Sequence, residues 1–151
     1  MKMMISTKGR YALRVMLDLA ENQEEGYIPL RDIAKRQEIS EKYLETILPA
    51  LIKNNFLEGL RGKGGGYRLS RDPESYTVGS ILKLLENSLA PVACLDCEEN
   101  QCERAADCKT LPMWEKLYKM VDDYFEGITL EDLCKDSEQR NFVIYSVLTK
   151  D

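Results

Sequence analysis

The chain has 151 residues, 44% of them apolar, and a formal charge of −5 at pH 7. That is the size of one domain, or of a small one with an arm, and it leaves enough apolar residue for a real core. No apolar run approaches the ~20 residues a membrane-spanning helix needs, and residues 1–10 hold no signal-peptide region, so a cytoplasmic protein without a membrane partner is expected.

The charge is unevenly spread. Residues 1–76 hold 13 Lys and Arg against 11 Asp and Glu, and residues 77–151 hold 8 against 15. An acidic chain can in this way carry a positive end toward a phosphate backbone. Ordinary solvated surface explains the same numbers equally well.

Ser6 or Thr7 can cap a first helix that runs to about residue 22. Tyr11, Ala12, Val15, Met16, Leu19 and Ala20 recur with the spacing of one buried face. Glu24-Glu25-Gly26 ends it, and Pro29 opens a short helix over residues 30–37 with Ile33 and Ala34 inward. Ser40 is placed to cap a third helix, with Tyr43, Leu44, Ile47, Leu48, Leu51 and Ile52 as its apolar face. Two short helices across a tight turn predict a helix-turn-helix. Pro49 has no N–H for the carbonyl of Glu45 and its ring crowds that turn. Inside a helix this costs roughly 3 kcal/mol, so a kink or change of course is expected there, leaving residues 41–48 to face a DNA groove.

Two extended runs, residues 56–61 and 67–70, flank Gly62-Lys63-Gly64-Gly65-Gly66 and predict a hairpin. After a helix-turn-helix, a hairpin is a wing. The glycines do not make a nucleotide-binding loop: G-x-x-x-x-G-K-[ST] is absent, and Tyr67 stands where G-x-G-x-x-G needs its last glycine. Pliant backbone flanked by Arg61, Lys63 and Arg68 suits DNA phosphates better.

A helix from Thr77 or Val78 to residue 87 follows, with Ile81, Leu82, Leu84 and Leu85 apolar. Pro91 introduces four cysteines, Cys94, Cys97, Cys102 and Cys108, spaced C-x2-C-x4-C-x5-C in acidic surroundings. In a reducing compartment such clustering favours metal ligation over disulfides, and a bound metal or cluster would order a loop too polar to build its own core. From Pro112 a longer helix carries Met113, Trp114, Leu117, Tyr118, Val121, Tyr124 and Phe125 on one broad apolar face and ends at Gly127. Left bare, that face would be a sticky patch, so pairing into a homodimer is expected. Ile128, Leu130 and Leu133 begin a short amphipathic piece in which Cys134 reads as an inert buried thiol. Phe142, Val143, Ile144, Tyr145, Val147 and Leu148 form an apolar tail.

Catalysis is not expected. The chain has no histidine, which removes Ser/His/Asp and Cys/His constellations, and Asp122-Asp123 reads as a solvated helix flank. A metal-dependent redox enzyme is the distant alternative. Structural zinc or a thiol-based redox site is the nearer one, because C-x2-C is a common zinc half-site, although a second half-site is missing.

Three stretches carry a family resemblance: Ser6-Thr7-Lys8-Gly9-Arg10-Tyr11-Ala12; Ile39-Ser40 followed by Tyr43-Leu44-Glu45; and Arg61-Gly62-x-Gly64-Gly65-Gly66-Tyr67. Together they resemble the IscR, NsrR and CymR type of bacterial winged-helix regulators, over the chain to about Leu133. The resemblance implies a fold that is mainly α with a small β-hairpin wing. Its parts would be a winged helix-turn-helix over residues 1–76, a connecting helix over 77–90, a cluster-binding loop over 91–109, and a dimerisation helix with a C-terminal segment over 110–151. It further implies a homodimer on a pseudo-palindromic site in double-stranded DNA, with Ser40, Lys42 and Glu45 as contacts of the recognition helix. Arg61 would enter the minor groove, within the wing motif of Lys63, Gly64, Gly65 and Tyr67. Lys42 stands where that type has a serine, which bears on operator preference.

The resemblance also implies an iron–sulfur cluster, [2Fe–2S] or [4Fe–4S], in members with three cysteines in this loop. The fourth ligand departs from the pattern. IscR-like loops place a histidine where Leu111 stands, and NsrR-like members use an aspartate near the position of Lys8. Cys102 and Cys108 keep the family spacing. The third ligand is Cys94 or Cys97 depending on how the loop is counted, and the one left over offers a fourth thiolate. Glu98, Glu99 or Glu103 is a carboxylate alternative, and zinc an alternative metal.

Overall fold

A computed structural model describes residues 5–96 and 102–136. Helix α1, Thr7–Glu21, begins where the Ser6 hydroxyl oxygen accepts the Gly9 amide at 3.1 Å. Ala12, Val15, Met16 and Leu19 bury one of its faces. Helix α2, Leu30–Gln37, leads through Glu38, held at φ 54°, to α3, Glu41–Lys53, whose first turn is capped by Ser40 accepting from Tyr43 N at 3.1 Å. Ile33, Leu44, Ile47, Leu48 and Leu51 complete the core with α1.

Pro49, where a kink or change of course is expected, does not end the helix: α3 continues through it to Lys53. Pro49 itself is exposed, while Leu48 and Leu51 beside it are buried. Burying each leucine contributes about 1.5–3 kcal/mol, enough to keep the last turn helical despite the missing hydrogen bond. Ile52, expected on the apolar face, lies on the outer side.

Strands β1, Leu57–Leu60, and β2, Gly66–Leu69, pair antiparallel with Leu57 opposite Leu69. Both leucines point into the core. The hairpin has a third partner that the sequence does not announce. Ile28 donates to the Tyr67 carbonyl at 2.9 Å and accepts from Tyr67 N at 2.8 Å, tying the wing to the segment before α2. Gly66 permits this approach, since a Cβ there would overlap the Ile28 carbonyl. The wing closes on Tyr76, fully buried, whose hydroxyl donates to Phe56 O at 2.8 Å and accepts from Arg71 N at 3.0 Å.

Helix α4, Val78–Leu85, starts in a capping box between Thr77 and Ser80. It stops two residues short of the expected residue 87. Its C-cap residue, Glu86, has left the helix, and its carboxylate accepts from Ser6 N at 2.8 Å and Ser6 Oγ at 2.7 Å. Gly9 leaves room for that carboxylate, which a Cβ would meet head-on. Helix α5, Leu111–Glu126, buries no residue fully. Its end is fastened to α4: Glu126 accepts from Thr77 Oγ1 and Lys83 Nζ, both at 2.9 Å. Val78 N then donates to Ile128 O at 2.8 Å, and Leu130 N to Tyr76 O at 3.0 Å. Helix α6, Leu130–Asp136, returns to α1 and places Leu130 in the main core. The apolar tail over residues 142–148 lies outside the described residues. Among the described residues, no helix is long and apolar enough to cross a membrane.

Candidate nucleic-acid interface and cysteine loop

The burial of Leu44, Ile47, Leu48 and Leu51 turns the other side of α3 outward. Ser40, Lys42, Glu45 and Thr46 are all exposed there. Ser40 spends its oxygen on the cap, which leaves its hydroxyl proton to donate, and Thr46 Oγ1 donates to Tyr43 O at 2.6 Å. The strip therefore offers a hydroxyl, an ammonium and a carboxylate at the helix N-terminus, the kinds of group that read base edges.

At the wing tip, Gly62 and Gly64 adopt φ of 94° and 75°, and Gly65 N donates to Gly62 O at 3.0 Å. A Cβ at Gly65 would overlap the Leu60 carbonyl, so the tip is a tight backbone turn from which Arg61 and Lys63 project, both exposed. Tyr67 is half-buried against Gly59. Arg68, expected to serve phosphates, already has partners within the chain. Its Nε donates to Glu58 at 2.8 Å, its guanidinium lies 4.4 Å from the Tyr27 ring centroid, and the hydrogen bond to Glu58 raises its pKa. The cross-strand pairing of Glu58 with Arg68, invisible in local sequence, decides this.

Sequence reasoning missed the network that sets the helix-turn-helix. Asp18, 2% exposed, accepts from Arg36 Nε at 3.0 Å, Arg36 Nη2 at 2.7 Å and Gln37 Nε2 at 2.9 Å. The bond to Asp18 raises the Arg36 pKa. A lone acid beside the apolar face of α1 was the available signal, because a buried charge must find a partner. Nothing in the spacing says which partner.

In the cysteine loop, Cys94 sits half-buried in a short helical turn, Ala93–Leu95, and Cys102 is exposed. Cys108 lies just before α5 with its sulfur 3.4 Å from Thr110 Oγ1. Hydrogen bonds from Thr110 and Leu111, with the charge of Arg104, hold its thiol pKa down. The donor chemistry fits a thiolate-held metal or cluster. The geometry is not gathered: among the described residues no group of three or more Cys, Asp or Glu stands close enough to hold a metal. Cys97, Glu98 and Glu99 lie outside the described residues. Cys134 stands apart, half-buried against the head's core, with its thiol pushed up by burial.

The face read as one broad stripe on α5 divides in two. Tyr118 and Phe125 turn inward onto Val78, Leu82 and Leu89 of their own chain. Met113, Met120 and Tyr124 are 53%, 59% and 67% exposed, and Trp114, Leu117 and Val121 lie between the extremes. At about 100° per residue, positions 118 and 125 stand roughly a quarter turn or more round from 113, 117, 120 and 124.

A family model, Rrf2, described as an iron-dependent transcriptional regulator, matches residues 5–136. The HTH-type transcriptional regulator IscR of Vibrio campbellii is 36% identical over 136 residues, covering 90% of this chain and 80% of its own length. Among solved structures, T. potens IscR matches with a TM-score of 0.73 at 36% identity, covering 91% of this chain and 90% of that one. CymR, the global cysteine regulator of B. subtilis, matches with a TM-score of 0.72 at 35% identity, covering 87% of this chain and 96% of that one.

Proposed function

The chain belongs to the Rrf2 family of DNA-binding transcriptional regulators, and from that premise we propose that it works as a homodimer on a pseudo-palindromic operator, tuned by an iron–sulfur cluster in its cysteine loop. The observation that carries the DNA part is the exposed N-terminal end of α3 together with a wing tip bearing two exposed cations. Lys42 and Ser40 donate to base edges, with guanine the partner of Lys42, and Glu45 accepts from cytosine. Arg61 enters the minor groove, while Lys63 and the backbone at Gly64 and Gly65 meet phosphates and Tyr67 braces the turn.

Pairing would use the outer side of α5, Met113, Leu117, Met120 and Tyr124, with Trp114 and Val121 at its edge toward the inner stripe. Tyr118 and Phe125 support it from within. Two heads so joined present their α3 helices to half-sites about 34 Å apart. The functional units then follow residues 1–76, 77–90, 91–109 and 110–151, with α6 folded back on the first.

Cys94, Cys97, Cys102 and Cys108 are the thiolates that would hold the cluster, and a bound cluster supplies a redox-active iron centre. The chain's own part is mechanical. Thr110 fastens Cys108 beside the first turn of α5, and Glu86, at the end of α4 five residues before the loop, is bonded to Ser6 at the head of α1. The order of the loop is thereby joined to both the pairing helix and the DNA-reading head. Anaerobic purification with a visible spectrum and iron and sulfide analysis tests the cluster. Colour with iron and sulfide is expected, absent in Cys102→Ala or Cys108→Ala. A colourless protein after reconstitution overturns it, and zinc at one per chain makes the loop a structural clasp.

A further inference from the structure

We propose that the N-terminal half of α1 is a second phosphate-binding surface, with Arg14 and Arg10 gripping the DNA strand that borders the groove α3 enters. This rests on the DNA-binding reading above and extends it to a helix that the reading does not use.

Three observations carry it. First, residues 6–17 contain Lys8, Arg10 and Arg14 and no acid, whereas Asp18, Glu21, Glu24 and Glu25 crowd the stretch that follows. Second, Arg14 is fastened against the turn of the helix-turn-helix. Its guanidinium lies 5.2 Å from the Tyr11 ring centroid, and that ring meets Tyr43 of α3 edge-on with centroids 5.3 Å apart. Arg14 Nε donates to Gln37 Oε1 at 3.2 Å and Nη2 to the Gln37 carbonyl, at the last residue of α2. Third, Arg14 remains exposed, as does Arg10 one turn earlier, whose Nη2 donates to Thr7 Oγ1 at 3.1 Å within its own helix.

The geometry gives these charges a place on DNA. An α-helix with its side chains, about 10–12 Å across, fills a major groove about 12 Å wide. A cation tied to the end of α2, and separated by the Tyr11 ring from Tyr43 in the recognition helix's first turn, is then placed toward the groove's edge, where the phosphates are. The same end of α3 carries three exposed acids, Glu38, Glu41 and Glu45, against one exposed cation, Lys42. Arg61 and Lys63 offset that repulsion from the wing, and Arg14 and Arg10 offset it from α1. Arginine suits the task because its planar fork matches phosphate oxygens and is already partly held in place.

Arg14 could instead serve only to tie α1 to the end of α2, so the test needs a readout that a structural tie does not move. The full chain is used to select a duplex of about 30 base pairs from a random pool, long enough for two half-sites. Affinity for that duplex is then measured across a salt series for wild type, Arg10→Gln, Arg14→Gln and Arg14→Lys. Each phosphate that a variant no longer neutralises makes the slope of log affinity against log salt shallower by about 0.9. Both glutamine variants are expected to show this, with discrimination between matched and mismatched duplexes unchanged, and Arg14→Lys is expected to keep most of the slope. The bond that Arg10→Gln removes lies within α1, so this variant reports even if Arg14→Gln loosens the fold. Unchanged slopes in both glutamine variants overturn the proposal while leaving the α3 and wing assignments standing. If the wild-type chain selects no duplex at all, the DNA-binding reading falls and this surface with it.

Discussion

In the head, α1 and α3 bury Ala12, Val15, Met16, Leu44, Ile47 and Leu51 completely, whereas α5, longer than either, buries no residue to that degree. All three helices show the same apolar rhythm in sequence. The difference lies in what faces them. α1 packs on α4, α6 and α2, and α3 on α2, β1 and α4, so both helices are enclosed by their own chain. α5 leans on α4 through Tyr118 and Phe125 and leaves Met113, Met120 and Tyr124 bare. A helix completed by its own chain should respond to substitution by losing stability. A helix completed by a second copy should respond by losing assembly.

The sharpest way to probe that contrast is Arg36→Met in the head. It strands the Asp18 carboxylate in the core with Gln37 as its remaining side-chain donor among the described residues. Breaking such a pair costs about 3–5 kcal/mol, read as a lower urea midpoint; a loss below about 1 kcal/mol would mean the network does not hold α1 to α2. Asp18→Asn should cost less, because the Arg36 left behind can reach solvent from where it already sits, about a third exposed.

On the arm, Leu117→Glu with Val121→Glu should convert a dimer to a monomer at micromolar concentration, seen by sedimentation. The head's melting transition should barely move. A persisting dimer would place the interface elsewhere, and an unfolded head would erase the distinction between the two regions.

Within the head, the reading surface should separate from the packing surface. Arg61→Ala is expected to weaken operator binding about tenfold, near 1.4 kcal/mol, and Glu45→Ala to relax choice at one base pair by about 1–3 kcal/mol. Neither should shift the urea midpoint. Glu45→Ala with undiminished discrimination would remove Glu45 from the base-reading set.

The smallest effect belongs to the joint between the regions. Lys83 bonds Asp122 and Glu126, and those carboxylates, Asp122 first, raise its pKa above the ordinary lysine value. Its contribution is therefore complete below that ordinary value and is lost as pH climbs through the raised one. The pair is about half exposed, so Lys83→Met should cost under about 1 kcal/mol at neutral pH. The gap between variant and wild type should close only in strongly alkaline solution; a gap that widens there would contradict the assignment.

Much of this was legible from local signals. The caps at Ser6 and Ser40, the apolar spacing of α1 and α3, and the glycine turn between two short strands all act within a few residues, and the N-terminal, turn and wing motifs carry the family. The four closely spaced cysteines raise the expectation of a thiolate site, but among the described residues they are not gathered. What local signals could not settle depended on partners far along the chain. Pro49 is tolerated because Leu48 and Leu51 are buried against other elements. Glu86 leaves α4 because Ser6, 80 residues away, offers it two donors. Arg68 pairs with Glu58 and lies against Tyr27, and Ile28 pairs with the wing because Tyr67 lies opposite it. The division of α5 into an inner and an outer stripe was decided in the same way. Periodicity tells that a face is apolar, and only the position of Val78, Leu82 and Leu89 tells which part of that face the chain covers for itself.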